Sequence, residues 1–417
     1  MPGRRIRLTL VGAVIAVSVP LISTGPAVAA PLLPPTALRA LPGCDSNEQP
    51  PRPSSVVPWA QQRYAPDRLA PLATGKGITI AVIDSGVDKT NPQLRGKIQP
   101  GRDYLDVGLD GSRDCVGHGT GVASIIAAKA IDGMGLRGLA PDAKILPVRV
   151  SERRQVDGGE ETGRTVTTPT FAESIRWAVQ NGADVINLSV TFHRDDPLLR
   201  AAIEYALAED VVVVAAAGNN FDKGNPRPYP AAYEGVIGVG SIGDDGKISP
   251  FSQRGDWVDL VAPGGNVTIA TPERGHKIDN GTSFAAPYVA ATAALIREYL
   301  PNLSARQVAE RLVATADPSG GNQDTFGAGV LNPYRAVTDT APPAGRPAVG
   351  GLPPHAEDPL ELARAERRSV AQERALWVAG LAGTVAGLAL LLAVVVPRGI
   401  RRGWRPAAPT TQSADPA

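Results

Sequence analysis

This chain is poor in the residues that build metal centres. Of its 417 residues only two are cysteine and four are histidine. None of the histidines, His118, His193, His276 and His355, stands at metal-ligand spacing from another, so no histidine-built metal site is expected. An excess of charge of one sign is also missing. Forty-two lysines and arginines are balanced by 41 aspartates and glutamates, a net charge of +1. That balance excludes a broad electrostatic pull toward nucleic acid. With histidine this scarce, one set among small residues carries information.

What is present is a globular composition, 43% hydrophobic and 20% charged, with length for one large domain and accessories. The prolines crowd into residues 30–58 and 342–354, which read as linkers or extended arms. At the start, Arg4, Arg5 and Arg7 precede a largely apolar run over 8–22 and the small-x-small pattern Ala27-Val28-Ala29. This is the layout of a secretory signal cleaved after Ala29. An uncleaved anchor is the alternative, against which the apolar run is short. Residues 375–396 carry no charge and are long enough to cross a hydrocarbon core of ~30 Å. Arg398, Arg401, Arg402 and Arg405 follow, which puts the tail in the cytoplasm and the large domain outside. A buried core helix is the rival reading of 375–396, but the run has no polar face and lies beyond a proline-rich linker. The expected organisation is a signal peptide (1–29), a proline-rich extension (30–74), a catalytic domain (75–338), a linker (339–374), a transmembrane helix (375–396) and a basic tail (397–417).

In an exported chain the pair Cys44 and Cys115 is expected to form a disulfide, the alternative being two unrelated free thiols. The closed loop of about 70 residues corresponds to roughly 4 kcal/mol in the chain-entropy picture. Cys115 lies three residues before His118.

Apolar, β-branched runs predict strands over 78–83, 143–150, 185–190, 211–216 and 236–241. Helical spacing or caps predict helices over 120–129, 169–181, 197–209, 282–300 and 304–314. Alternation of this kind implies an α/β three-layer sandwich around a mostly parallel sheet, with ligands at the carboxyl ends of the strands. Asp84, Ser189 and Asn219 fall there. Residues 151–168 are polar and read as a surface loop. Asp88 and the acidic stretch 106–114 could hold calcium, but no regular spacing of oxygen ligands appears and a solvated loop is the preferred reading. His193 reads as solvated, His276 as part of a charged loop and His355 as part of the linker.

Three distant segments each set one reactive side chain among small residues: Val82-Ile83-Asp84-Ser85-Gly86, Gly117-His118-Gly119-Thr120 and Gly281-Thr282-Ser283-Phe284-Ala285-Ala286-Pro287. A serine hydroxyl becomes a nucleophile when an imidazole takes its proton and a carboxylate fixes that imidazole. The small residues let a substrate backbone approach Ser283, and a helix start behind it offers N–H groups to a developing oxyanion. Ala215-Ala216-Ala217-Gly218-Asn219 follows a strand and ends in an amide able to donate to the same oxyanion.

At these residues the chain resembles the subtilisin-like serine proteases, from about residue 75 to 336. The resemblance implies Asp84 as orienting acid, His118 as general base and acid, Ser283 as nucleophile and Asn219 as oxyanion donor. It implies that Asn187-Leu188-Ser189-Val190 includes the strand that pairs with an extended peptide, with Ser189, Val190, Thr191, Ala217 and Gly218 lining the substrate site. The family usually has a glycine shortly after this serine, whereas Val190 and Thr191 follow here; this implies a narrowed specificity pocket or altered peptide pairing. No cofactor is implied. The extension before residue 75 is short and proline-rich, unlike a folded inhibitory prodomain. Together with Cys44, Cys115 and the C-terminal span, it resembles the mycosins, membrane-anchored proteases of type VII secretion. That likeness implies protein or peptide substrates, an extension that wraps the protease, a secretion-complex partner and an actinobacterial envelope. A second disulfide common in that family is absent. A mainly structural scaffold and a surface-tethered degradative protease are the other readings.

Overall fold

The computed structural model describes residues 51–155, 161–319, 321–340, 396–398, 400, 401 and 403. The chain runs through two short helices, α1 (Trp59–Tyr64) and α2 (Pro66–Leu69), into strand β1 (Thr79–Asp84). Then come β2 (Arg102–Asp103), α3 (His118–Ala127), β3 (Lys144–Arg149) and the pair β4 (Arg154–Gln155) and β5 (Glu161–Thr162). Next are α4 (Thr168–Gln180), β6 (Val185–Leu188), α5 (Pro197–Ala208), β7 (Val212–Ala216), β8 (Ile237–Ile242) and β9 (Leu260–Pro263). The pair β10 (Val267–Ala270) and β11 (His276–Asp279) leads to α6 (Thr282–Tyr299), α7 (Ala305–Ala314), α8 (Gln323–Phe326) and α9 (Pro333–Thr338).

Seven strands form one sheet in the order β2-β3-β1-β6-β7-β8-β9, and every pairing is parallel. The strands are apolar along their whole length because both faces are covered. Ile80, Val82, Val212 and Val214 turn to a core shared with α3, α6 and α7. Ala81, Ile83, Val213 and Ala215 turn to a second core shared with α4 and α5. The period-two alternation of one strand thus serves two cores and yields the three layers. Helix α6 is buried around its whole circumference through Ile296, which its alanines permit by letting neighbours approach closely.

Local signals set the helix ends. Thr167 caps α4 and Asp196 caps α5, each with a proline in the first turn; Ser304 and Gln307 form a reciprocal capping box on α7. Three expectations need correction. Strand β6 stops at Leu188, two residues early, so Ser189 and Val190 lie beyond its ladder. The segment 151–168 is not a plain loop: β4 and β5 pair antiparallel, and Ser151 bridges Thr165. Arg164 ties this hairpin to Glu152 and Asp106, and the buried Arg149 joins Asp103 and Asp106. The proline-rich stretch before residue 75 also has structure: α1 and α2 pack on the main core through Ala60, Tyr64 and Leu69.

Among the described residues no helix is long and apolar enough to cross a membrane. Of the expected span 375–396 only Val396 is described, and the expected signal 1–29 lies outside the described residues.

Chain order places β3 on one side of β1 and β6 on the other. The sheet reverses its winding between β1 and β6, and a crevice opens at the carboxyl ends of strands at such a point. Asp84 closes β1 there, and Ser189 follows β6.

Candidate active site

Asp84 is the last residue of β1 and its side chain is 3% exposed. His118 is the first residue of α3. Its Nδ1 lies 2.8 Å and 3.0 Å from the two Asp84 oxygens, and its Nε2 lies 2.9 Å from Ser283 Oγ. A carboxylate can only accept, so Nδ1–H donates to Asp84 and the Nε2 lone pair is left for the Ser283 proton. The Phe284 ring packs beside the imidazole, centroids 5.0 Å apart. Burial works against a charged ring here. The facing Asp84 carboxylate, with Asp114 and Asp279, outweighs it, and the pKa of His118 is raised above its ordinary 6.5. The close approach of α3 to β1 requires glycine at 119. A Cβ there would sit 2.1 Å from Gly86 O and 3.1 Å from Asp84 Cβ.

Ser283 is in the first turn of α6, where the helix supplies no carbonyl to its N–H. Pro287 lies inside the same helix and has no N–H to give the Ser283 carbonyl four residues earlier. Ser189 Oγ fills that gap, donating to Ser283 O at 2.9 Å, and Asn187 Nδ2 donates to Ser189 Oγ at 2.9 Å. The residue after β6 thereby fixes the backbone that carries the hydroxyl.

Asn219 follows β7 and is exposed. Its Oδ1 accepts from Thr282 N at 2.9 Å and Thr282 Oγ1 at 2.8 Å. With the oxygen so held, the amide NH2 turns the other way. A Cβ added to Gly281 would lie 2.7 Å from Ser283 Oγ and 3.4 Å from Asn219 Nδ2. The serine oxygen and the amide nitrogen therefore border one small space, which glycine leaves open. An acyl carbon placed against Oγ would put its oxygen within reach of a fixed donor, the arrangement that favours a tetrahedral oxyanion.

These positions lie within residues 75–333, which match the model of the family described as "Subtilase family". The chain belongs to the subtilase family. It is a serine-type endopeptidase of the mycosin branch. Mycosin-1 of Mycolicibacterium smegmatis is 38% identical over 328 residues, 67% of this chain and 72% of that protein. Mycosin-1 of Mycobacterium tuberculosis is 36% identical over 353 residues, covering 72% of this chain and 78% of the relative. The solved structure of MycP1 from Mycobacterium smegmatis superposes with a TM-score of 0.59 at 31% identity, covering 74% of this chain and 94% of that one. The α/β architecture around the parallel sheet is thus the subtilisin-like one.

The remaining predicted positions of this subtilase distribute as follows. Val190 packs toward the second core with Phe192, and Thr191 is half-buried between them. Ala217 and Gly218 are buried, the Gly218 N–H donating to Thr282 Oγ1 at 3.0 Å. Cys115 is disulfide-bonded; Cys44, its expected partner, lies outside the described residues, as does His355. His193 is exposed, with Nε2 3.2 Å from Asn220 Nδ2.

His276 corrects its assignment to a charged loop. It opens β11, is 7% exposed, accepts from Ser54 N at 3.0 Å through Nδ1 and meets Gln93 Oε1 at 2.7 Å through Nε2. The acidic stretch 106–114 is a loop, as expected, open to solvent at Val107 and Gly108, but its carboxylates are held by partners. Asp106 joins Arg149 and Arg164, Asp110 joins Lys89, and Asp88 accepts from Thr90 and the Glu273 N–H. Asp114 is 2% exposed and lies against the site itself. The sequence reading missed Asp114, Ser85 and Thr282 as site residues. All three stand inside or beside the motif segments, and that adjacency was the available signal.

Proposed function

We propose that this mycosin-like subtilase cleaves peptide bonds outside the membrane, held there by the apolar segment 375–396, through Asp84, His118, Ser283 and Asn219. The observation that carries the reading is the Ser283–His118–Asp84 relay, with contacts of 2.9 Å and 2.8 Å. Ser283 Oγ attacks the scissile carbonyl carbon while its proton passes to His118 Nε2. Asp84 stabilises the imidazolium and keeps its orientation. The tetrahedral oxyanion accepts from Asn219 Nδ2 and from the Ser283 N–H. Collapse breaks the C–N bond, the leaving amine takes the proton from His118, and an acyl ester remains on Ser283. Water then attacks that ester with His118 again as base, releasing the acid and restoring the hydroxyl.

An extended peptide is the substrate class. It pairs with backbone near Ser189, Val190 and Thr191, beyond the point where β6 leaves the sheet. Ala217 and Gly218 form the opposite side. With Val190 turned to the second core, Thr191 in place of a glycine makes the chain selective about the side chain it admits. Solved relatives include MycP1 and MycP3 of type VII secretion systems, which supports a place for this chain beside such a complex. Replacing Ser283 separates proteolysis from scaffolding. Cells carrying Ser283→Ala should lose processing of a secreted protein yet keep more secretion than cells lacking the gene. Unchanged processing in Ser283→Ala cells would contradict the proteolytic reading.

A further inference from the structure

A second carboxylate lies behind the relay. Asp114 Oδ1 accepts from Ser85 Oγ at 2.9 Å, Val116 N at 3.0 Å and Gly117 N at 2.8 Å. Its Oδ2 accepts from Thr120 N at 2.8 Å and Thr120 Oγ1 at 2.7 Å. Both hydroxyl oxygens are themselves acceptors, Ser85 Oγ from Gly119 N at 2.9 Å and Thr120 Oγ1 from Asp88 N at 3.0 Å. Each therefore turns its proton to Asp114. Burial raises the Asp114 pKa, with the bonds from Thr120 and Gly117 offsetting it only in part and the Asp84 charge adding to it. Five donors converging on the two oxygens suit the ionised carboxylate, which hydrogen bonding to its charged form favours.

The connections of these partners matter more than their number. Ser85 N donates to Asp84 Oδ1 at 2.6 Å, so Ser85 belongs to the turn that presents the orienting acid. Gly117 is the cap of α3, which begins at His118, and Gly119 and Thr120 lie in its first turn. Asp114 is bonded to both, and Cys115 beside it is disulfide-bonded. Three carboxylates act on the imidazole: Asp84 in contact, Asp114 behind the helix start, and Asp279 at the end of β11.

We propose that Asp114 is a positioning residue for peptide hydrolysis: it locks the Asp84 turn to the start of the His118 helix, and its buried charge favours the imidazolium formed when Ser283 attacks. The proposal rests on the triad reading of Asp84, His118 and Ser283. Asparagine at 114 cannot reproduce the lock, because its NH2 would face either the Thr120 donors or the N–H groups of Val116 and Gly117. It also removes the charge.

The test is the rate at which a fluorophosphonate probe labels the purified full chain, followed against probe concentration and pH. In Asp114→Asn the limiting rate should fall about 10- to 100-fold with little change in half-saturating probe. Its acid limb should move to lower pH, because less negative charge faces His118. Ser85→Ala keeps the charge but loses one tie, so its rate should fall with the limb in place. A folded Asp114→Asn that labels at the wild-type rate overturns the proposal, and so does one that is slowed with an unmoved limb. If Asp114→Asn does not fold, Ser85→Ala decides, and a wild-type rate there overturns the lock. Ser283→Ala run alongside should take no label; labelling of that variant would defeat the triad reading itself, separately from Asp114.

Discussion

Asn219 shows how one side chain can be held by one end to leave the other free. Its oxygen is bound by both donors of Thr282, and its NH2 is left toward the space in front of Gly281. Asn219→Ala should lower kcat about 100- to 1,000-fold with little change in KM, because a donor to the oxyanion is missed only in the transition state. Steady-state kinetics on one peptide substrate checks this. His118 sets the pH dependence. Burial disfavours its charge, but the facing carboxylates prevail and raise its pKa. With the neutral ring as the proposed base, activity should be lost as pH falls through that raised pKa. A pH–rate profile should place the acid limb above the ordinary 6.5; a limb below it would contradict the assignment. At this scale the motif residues were legible because His118 and Ser283 stand among glycine, alanine and threonine, and Asp84 ends an apolar run just before Ser85-Gly86. Asp114 was less so: in the sequence it is one aspartate in an acidic stretch, and only the fold brings Ser85 and Thr120 to it.

Strands β1, β3, β6, β7 and β8 could be read because parallel strands covered on both faces are continuous apolar runs. Strand β11 could not. It reads His276-Lys277-Ile278-Asp279, with Lys277 and Ile278 exposed and Asp279 half-buried, and its pairing with β10 supplies what its composition does not. Helices α1 and α2, of six and four residues, are too short for periodicity to show. The buried state of His276 depends on Ser54 and Gln93, both distant in sequence. Burial depresses the pKa of His276. Between 6.5 and that depressed value the unfolded chain takes up a proton that the native chain does not. Stability from this site is therefore full above 6.5 and declines as pH falls below it. Protonation also costs the Ser54 bond, worth about 1 kcal/mol. The arm at residues 51–57 should become more open to added protease in mild acid, and His276→Gln should lose much of that pH dependence.

For the molecule as a whole, the sheet brings three segments to one crevice, and its reversal between β1 and β6 fixes where that crevice lies. What that site is coupled to depends on the partner of the Cys115 disulfide. If Cys115 pairs with Cys44, the double variant Cys44→Ser/Cys115→Ser should unfold at lower denaturant, with a loss of about 3–4 kcal/mol. An unchanged midpoint would mean that the bridge does not restrain this domain. The extended arm and the terminal segments were legible only as composition, because proline-rich and purely apolar stretches carry no pattern that reports their contacts.

The central claim is that Ser283 is a nucleophile activated by His118. It is tested most directly by treating the full chain with a fluorophosphonate and locating the adduct by peptide mass spectrometry. The account predicts a single stoichiometric adduct on Ser283 that is lost in His118→Ala. An unlabelled Ser283 in the folded chain, or labelling that persists without His118, would contradict it.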